Sequence, residues 1–195
     1  MATVVADLSM SLDGFVADPS DGVEEVFAWM TSGNVSVPTR NADILPAFQV
    51  DEASAAELRD TFENLGALVV GRRTFDLAGG WGGAHPLGAP VWVVTHNPPD
   101  GFDDAPFTFV TDGVESAVEQ ARAAAGDGLV GVAGPNIAQQ CLNAGILDAI
   151  RISVAPVLLG SGIPYLDGLK GTPVKLKTPR VVEGQGVTHL YYEVA

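Results

Sequence analysis

Short apolar runs that alternate with helical patterns constrain the fold of this chain most strongly. Four runs rich in β-branched or aromatic residues occur at 67–71, 91–95, 107–110 and 129–133, and each is followed by glycine or polar residues. Such runs are typical of strands buried on both faces, and strands that alternate with helices are typical of α/β sheets. The sequence therefore predicts an α/β fold with a mixed sheet flanked by helices.

Helix boundary signals place two helices beside these strands. Asp51 and Gly66 predict the N-cap and C-cap of a helix over 52–66. Asp112 and Glu115 have the spacing of a capping box and predict a helix that follows them.

A further helix is predicted over 137–144, with Asn136 as its N-cap and Gly145 closing it. Residues 23–30 could form a short helix. Two prolines make 31–50 look irregular.

The last third of the chain reads as strands in succession. Residues 149–160 form one long extended pattern, and 175–194 predict two strands around the turn sequence EGQG. Successive strands favour antiparallel pairing, so we expect an antiparallel C-terminal part of the sheet. The sequence shows no repeats, and we expect a single domain over 1–195.

Charge and composition exclude several classes of function. The chain has 24 acidic and 10 basic residues, a net charge of −14, which argues against nucleic-acid or membrane partners. The single cysteine, Cys141, allows no intrachain disulfide and falls on the apolar side of its predicted helix. His85 and His189 lack acids or cysteines at metal-ligand spacing, so no metal is expected. The start MATVVADLS does not resemble a secretion signal, which favours a cytoplasmic protein.

Polar side chains follow three of the predicted strands where each ends. Arg72, Arg73 and Thr74 follow the first, His96 follows the second, and a glycine turn after the third leads to Asn136. Guanidinium groups bind phosphate oxygens in pairs, and the start of a helix presents unpaired N–H groups to anions. These strand ends therefore predict a site for a ligand with several phosphates, such as a dinucleotide with an extra 2′-phosphate.

Simpler interpretations of the same residues remain open. Arg72 and Arg73 could pair with surface acids. The turn AGPN (133–136) could be an ordinary entry to a helix, and His96 could be a surface residue.

Taken in order, the motifs resemble the dihydrofolate-reductase-like fold, and more closely the family related to the reductase domain of riboflavin biosynthesis. The matching stretches are SMSLDGFVA (9–17), VVGRRTFD (69–76), GWGG (80–83), VWVVTH (91–96), VAGPNIAQQCLNAGILD (132–148), ISVAPVLLGSGIPYLDG (152–168) and GVTHLYYEV (186–194).

The resemblance implies a reductase that binds NADPH. It implies that the phosphates and the adenosine end would meet Gly71, Arg72, Arg73, Thr74, Val94, Thr95 and His96. It implies that the pyrophosphate would lie against Ala133, Gly134, Pro135, Asn136, Ile137 and Ala138. It places beside the nicotinamide Ser9, Val16, Ala17 and Asp13. Asp13 is also a candidate catalytic group on the substrate side, although an aspartate before glycine is equally typical of a turn.

The chain departs from the family pattern at the substrate side. The carboxylate of dihydrofolate reductases corresponds here to Ala55, and the acids nearby, including Glu57, would need a register shift. The riboflavin reductases usually carry a basic residue where this chain has Phe15. The phosphate turn keeps one glycine, Gly134, where the family usually has two or three. We therefore expect neither folate nor a ribityl phosphate as the natural acceptor.

The resemblance implies hydride transfer from NADPH to a small cyclic or conjugated acceptor, and since no general acid emerges from the sequence we expect water as the source of the proton. The pocket would be lined by 25–55 and 77–88, with candidate stacking groups Trp29, Phe48, Trp81 and Tyr165. Three alternatives stay open: a non-catalytic NADP-binding module, a reductase that uses a deazaflavin, and a dihydrofolate reductase with a shifted carboxylate. A homodimer is expected from the resemblance and from exposed edge strands near 149–160 and 186–194.

Overall fold

The structure is a computed structural model that describes residues 2–195. Its strands are β1 (Thr3–Ser11), β2 (Phe15–Ala17), β3 (Val35–Pro38), β4 (Ala47–Val50), β5 (Leu65–Gly71), β6 (Val91–Val94), β7 (Phe107–Val110), β8 (Leu129–Ala133), β9 (Ala149–Ala155), β10 (Ile163–Pro164), β11 (Arg180–Gly184) and β12 (Val187–Glu193). Its α-helices are α1 (Glu24–Phe27), α2 (Glu52–Asn64), α3 (Arg72–Leu77), α4 (Val114–Ala125) and α5 (Pro135–Ala144). Short 3₁₀ helices occupy Ala28–Thr31 and Gly79–Gly83.

One eight-stranded sheet organises the fold, in the order β11-β12-β9-β1-β8-β5-β6-β7. All neighbours from β9 to β7 are parallel, whereas β12 and β11 are antiparallel to their neighbours. The predicted mixed sheet with an antiparallel C-terminal part is confirmed. The parallel strands all end at one edge, which is where open α/β sheets bind ligands.

The two faces of β1 have different chemistry because successive strand residues face opposite sides. Val4 and Ala6 pack in the main core with α4 and α5. The opposite face carries Asp7 and Ser9 and lies beneath α2. An apolar face therefore anchors the sheet, and a polar face is left for a site.

Two predicted helix caps are wrong. Helix α2 ends at Asn64, because β5 already begins at Leu65 and takes Gly66 into the sheet. The capping box of Asp112 and Glu115 does not form, since Gly113 is the N-cap of α4 and no side chain caps it.

The start of α5 also differs from its prediction. Asn136 lies inside the helix, and Gly134 is the N-cap with Pro135 in the first turn. Proline suits that position because it has no N–H to leave unpaired. The predicted closure by Gly145 is confirmed, with φ of 68° and bonds to two carbonyl groups of the last turn.

Three predicted strand features need correction. Residues 31–50 contain the antiparallel pair β3–β4. The extended pattern of 149–160 stops as a strand at Ala155. Neither β9 nor β12 is an edge, because each is paired on both sides, and the outer strands of the described sheet are β11 and β7. The expected homodimer loses its edge-strand argument and stays a prediction.

Candidate functional site

A cavity of about 630 Å³ lies between α2 and the polar face of the sheet. Its floor comes from β1, β9 and β12, and is formed by Asp7, Leu8, Ser9, Ser153, His189 and Tyr191. One side reaches α3 and the turn that enters α5, through Arg73, Thr74, Leu77, Ala133, Gly134 and Pro135. The cavity therefore joins the ends of β5 and β8 to the face beneath α2. The other residues predicted to hold the cofactor phosphates and adenosine are not among its lining residues, namely Gly71, Arg72, Val94, Thr95, His96, Asn136, Ile137 and Ala138.

The ends of β5 and β8 meet as expected for neighbouring parallel strands, with Val70 opposite Ala133. Gly134 then lies against Thr74, and a Cβ atom on Gly134 would be 2.5 Å from the Thr74 hydroxyl oxygen. The φ angle of Gly134 is +92°, a conformation that side chains rarely adopt. The close contact with Thr74 and the positive φ angle both require glycine at this position.

In the first turn of α5, Pro135 lines the cavity, and Asn136 is exposed with its Oδ1 accepting a hydrogen bond of 2.7 Å from Gln140. Ile137 and Ala138 are buried in the core, 2% and 0% exposed. The N–H of Ala138 already bonds to the carbonyl of Gly134 at 3.2 Å. The N–H groups of Asn136 and Ile137 are first-turn donors, which lack partners inside a helix.

Both arginines at the start of α3 pair with acids. Arg72 contacts Asp76 at 2.7 Å and donates to the carbonyl of Asn97. Arg73 holds Asp21 with two bonds of 2.6 and 3.2 Å, and this pair raises the pKa of Arg73. The interpretation that these cations pair with acids is confirmed. Each guanidinium has five N–H donors, so each keeps some for a further partner.

The end of β6 completes this corner, with Val94 opposite Gly71. Thr95 is buried and its hydroxyl exchanges hydrogen bonds of 3.2 Å with the backbone of Asn97. His96 is exposed. The structure brings the three predicted strand ends together, and their cofactor contacts stay a prediction.

The residues expected beside a nicotinamide divide into two groups. Ser9, Val16 and Ala17 line the cavity, and the Ser9 hydroxyl accepts a hydrogen bond of 3.0 Å from the ring N–H of Trp29. Asp13 is not among the cavity-lining residues.

Asp13 instead holds a turn against a loop. Its carboxylate accepts bonds from the Ser11 hydroxyl at 2.6 Å and from the backbone N–H groups of Leu159 and Gly160 at 3.1 and 2.7 Å. The Ser11 bond and these N–H groups lower the pKa of Asp13. An ionised anchor of this kind matches the turn interpretation, and the catalytic role of Asp13 stays a prediction without a contact to the cavity.

The expected aromatic groups also divide. Trp29 and Trp81 line the cavity. Tyr165 is 1% exposed within the main core, and Phe48 packs against Phe62 in a separate core cluster.

Helix α2 does supply a carboxylate to the cavity, but from Glu57 and not from the expected position, Ala55. Ala55 is completely buried in the core, whereas Glu57 lines the cavity. Two bonds of 2.7 Å join Glu57 to Arg180, whose guanidinium lies 3.8 Å from the centre of the Tyr191 ring. The Arg180 bonds, aided by Tyr191, lower the pKa of Glu57 to about 2. Glu57 is therefore a fixed, neutralised anion.

Asp7 is a second cavity carboxylate that the sequence analysis did not select. It lies opposite Arg151 across the β1–β9 pair. Burial raises the pKa of Asp7 to about 6, although Arg151 acts in the opposite direction. A charge inside the apolar run TVVADLS was the signal available in the sequence.

A hydrogen-bonded chain joins the floor of the cavity to the start of α2. The two ring nitrogens of His189 each lie 3.0 Å from a hydroxyl oxygen, one of Ser54 and one of Ser153. Ser54 in turn donates to Asp51 at 2.6 Å, the N-cap of α2. Burial lowers the pKa of His189, so its ring is neutral and serves as a structural link.

Within residues 2–195, no group of three or more histidine, cysteine or acidic side chains is arranged to hold a metal ion. No helix of that range is both long and apolar enough to cross a membrane.

Comparison with known proteins gives the family. The family model described as the RibD C-terminal domain matches residues 2–189, so the chain belongs to this family. An uncharacterized Bacillus subtilis protein, YwjB, is 24% identical over 119 residues, which are 60% of this chain and 68% of that protein.

Solved structures show the same fold. A putative riboflavin biosynthesis protein from Shewanella sp. PV-4 matches with a TM-score of 0.70 and 23% identity, over 100% of this chain and 99% of that one. A deaminase/5-amino-6-(5-phosphoribosylamino)uracil reductase from Thermotoga maritima matches with a TM-score of 0.62 and 15% identity, over 100% of this chain but 57% of that longer one. The dihydrofolate reductase of Enterococcus faecalis, complexed with NADP(H), matches with a TM-score of 0.56 and 15% identity, over 98% of this chain and 94% of that one. The predicted dihydrofolate-reductase-like fold is confirmed.

Proposed function

We propose that this chain is an NADPH-dependent reductase that acts on a small, uncharged cyclic or conjugated acceptor. The observation that carries the proposal is the continuity of the cavity. It runs from Arg73, Thr74 and Gly134 at the strand ends to the floor beneath α2. A long ligand with phosphates at one end and a reactive ring at the other suits such a space.

At the strand ends, the protein backbone would bind the phosphates of the dinucleotide. Gly134 leaves room where a side chain would collide with Thr74, and the adjacent first turn of α5 offers N–H donors. Arg73 lines the cavity and keeps N–H groups beyond its bonds to Asp21, and Arg72, which precedes it outside the lining, keeps N–H groups beyond its bonds to Asp76 and the carbonyl of Asn97. These free donors would hold the 2′-phosphate that distinguishes NADPH from NADH.

The ring end fits a nicotinamide by apolar contact. Val16 and Ala17 from β2 and Leu8 from β1 line this part of the cavity. When bound, NADPH supplies the hydride, and the chain's residues orient the rings and exclude water.

The charges around the cavity select the acceptor. Its acidic lining residues are Asp7, Asp21 and Glu57, and its single lining arginine, Arg73, is already paired. That arginine lies at the strand ends that the proposal gives to the cofactor phosphates, so no cation among the described lining residues is left for an anionic acceptor. Most of the remaining lining is apolar, including Met30 and Leu58, which favours an uncharged ring.

The test is calorimetric titration of the purified protein with NADPH and, separately, with NADH. Charge-assisted bonds to the 2′-phosphate should make NADPH bind about 10- to 100-fold more tightly. The double variant Arg72→Ala/Arg73→Ala should lose that preference. Arg59→Ala is the matched control, because Arg59 is exposed, weakly paired with Glu52 at 3.7 Å and absent from the cavity.

Failure of both nucleotides to bind would refute the proposal. Equal affinity for NADPH and NADH would favour another phosphate-bearing cofactor, such as a deazaflavin. Selective NADPH binding without oxidation by 2-cyclohexen-1-one, menadione or dihydrofolate would favour a non-catalytic NADP-binding module.

A further inference from the structure

Asp7 occupies an unusual place for a carboxylate. It projects from the middle of β1, between two strands that are also paired, and lines the floor of the main cavity. It also lines a second cavity of about 150 Å³ beneath the start of β5. No side-chain hydrogen bond among the described residues reaches its carboxylate. A charged group in such a place is costly unless it is neutralised.

The cation nearest in the sheet is directed elsewhere. Arg151 lies opposite Asp7, but its guanidinium donates to the Thr61 hydroxyl at 2.9 Å and lies 3.7 Å from Asp60. The other ionisable groups that line the two cavities or surround Asp7 are Asp21, Glu57, Arg73, His85, Tyr165, His189 and Tyr191. The one arginine among them, Arg73, is paired with Asp21.

The other polar groups on the cavity wall cannot supply a proton near neutral pH. Glu57 is ionised and held by Arg180. His189 is neutral, with both ring nitrogens engaged by hydroxyl groups. Burial raises the pKa of Tyr191 far above neutrality. Two carboxyl groups in one cavity whose pKa values are driven apart, Asp7 up and Glu57 down, are the usual arrangement of an acid and a fixed anion.

We propose that Asp7 is the general acid of the site and delivers the proton that completes reduction of the acceptor. This inference rests on the proposed function. The acceptor gains a hydride at one carbon and a proton at the conjugated atom that faces Asp7. The O–H bond of the Asp7 carboxyl breaks as the new bond to hydrogen forms, and the carboxylate regains its proton from water. The acceptor class is therefore a neutral conjugated C=C or C=N system, and Asp7 replaces water as the immediate donor.

The first test needs neither cofactor nor acceptor. Carboxyl ¹³C NMR of the ligand-free protein follows each aspartate with pH, and the Asp7 resonance is assigned by its loss in Asp7→Asn. The expected titration midpoint is about 6. A midpoint near the ordinary 3.8 would overturn the proposal, because Asp7 would then hold no proton at neutral pH.

The second test measures single-turnover oxidation of bound NADPH by 2-cyclohexen-1-one. Asp7→Asn should slow this step by about 10²- to 10⁴-fold and leave the Kd for NADPH unchanged. Asp7→Glu should restore part of the rate, and the rate in wild type should fall as pH rises through the NMR midpoint. Asp127→Asn is the control, since Asp127 lies exposed in the turn after α4.

An unchanged turnover rate in Asp7→Asn would overturn the assignment, as would a loss that follows from weaker NADPH binding. The two proposals fail in different ways. If wild type does not bind NADPH, the reductase proposal fails whatever the NMR midpoint. If NADPH binds and Asp7 titrates near its ordinary value, only the general-acid assignment fails.

Discussion

Replacing Asp7 by asparagine should stabilise the protein at neutral pH. The pKa of Asp7 is raised from 3.8 to about 6 in the folded state. A raised carboxyl pKa means that the fold favours the protonated form, so its stabilising effect is present below pH 3.8 and is lost as pH rises through 6. From these two values, ionisation costs the folded state close to zero at pH 3, between about 1 and 2 kcal/mol at pH 5 and about 3 kcal/mol at pH 7. Asparagine cannot ionise and escapes this cost.

Urea unfolding of both proteins between pH 3 and 8 measures the effect. The difference in free energy of unfolding should grow with pH in favour of Asp7→Asn and level off above pH 7. Any fixed cost of the amide shifts the whole curve without changing its slope. Other carboxylates titrate equally in both proteins and cancel. A difference that does not change with pH would show that Asp7 has an ordinary pKa and would refute the reasoning.

Three further predictions follow from single contacts. Glu57→Gln removes the partner of Arg180 and should lower the free energy of unfolding in urea by about 1–2 kcal/mol, a value discounted because Arg180 is half exposed. Because the pKa of Glu57 is lowered in the folded state, this loss should be full above pH 5 and should shrink as pH falls toward 2. Gly134→Ala should lower the free energy of unfolding by about 1–3 kcal/mol and weaken NADPH binding. The control Gly145→Ala, where φ is also positive but no atom lies near the added Cβ, should lower it by about 1 kcal/mol and leave NADPH binding unchanged. Burial raises the pKa of Cys141 to about 12, so a disulfide reagent at pH 8 should modify the native thiol on the order of 10³-fold more slowly than the unfolded one.

The sheet could be predicted because its signals are local. The spacing of apolar residues within each segment indicates a strand or a helix, and the turn residues beside the segment mark where it ends. The errors arose where two elements compete for the same residues. Gly66 is a good helix terminator by type, but β5 recruits it into the sheet, where a Cβ atom would lie 2.8 Å from the backbone of Ala125. The pairing partners of β9 and β12 were likewise invisible to a reading of single segments.

The candidate site likewise has a part that local sequence signals predict and a part that they do not. The meeting of the β5 and β8 ends was predictable because parallel neighbouring strands bring their ends together, which places Thr74 against Gly134. Of the polar floor only Ser9 was selected from the sequence, because the other polar contacts around the cavity are made between distant segments. His189 meets Ser54 across 135 positions of sequence, and Glu57 meets Arg180 across 123. No local pattern records such contacts.

Asp7 is a charged residue at a position where the strand pattern of β1 favours an apolar one. The residues from Val4 to Ala6 are buried and apolar, and an apolar residue at position 7 would remove the cost of ionisation. Departures of this kind are expected where a site needs a group that the fold does not. The two experiments on Asp7→Asn decide between the explanations. A more stable protein that has lost reduction would mean that the carboxyl is kept for chemistry. A more stable protein that reduces its acceptor at the wild-type rate would mean that the charge is a defect of the strand and that the proton comes from water.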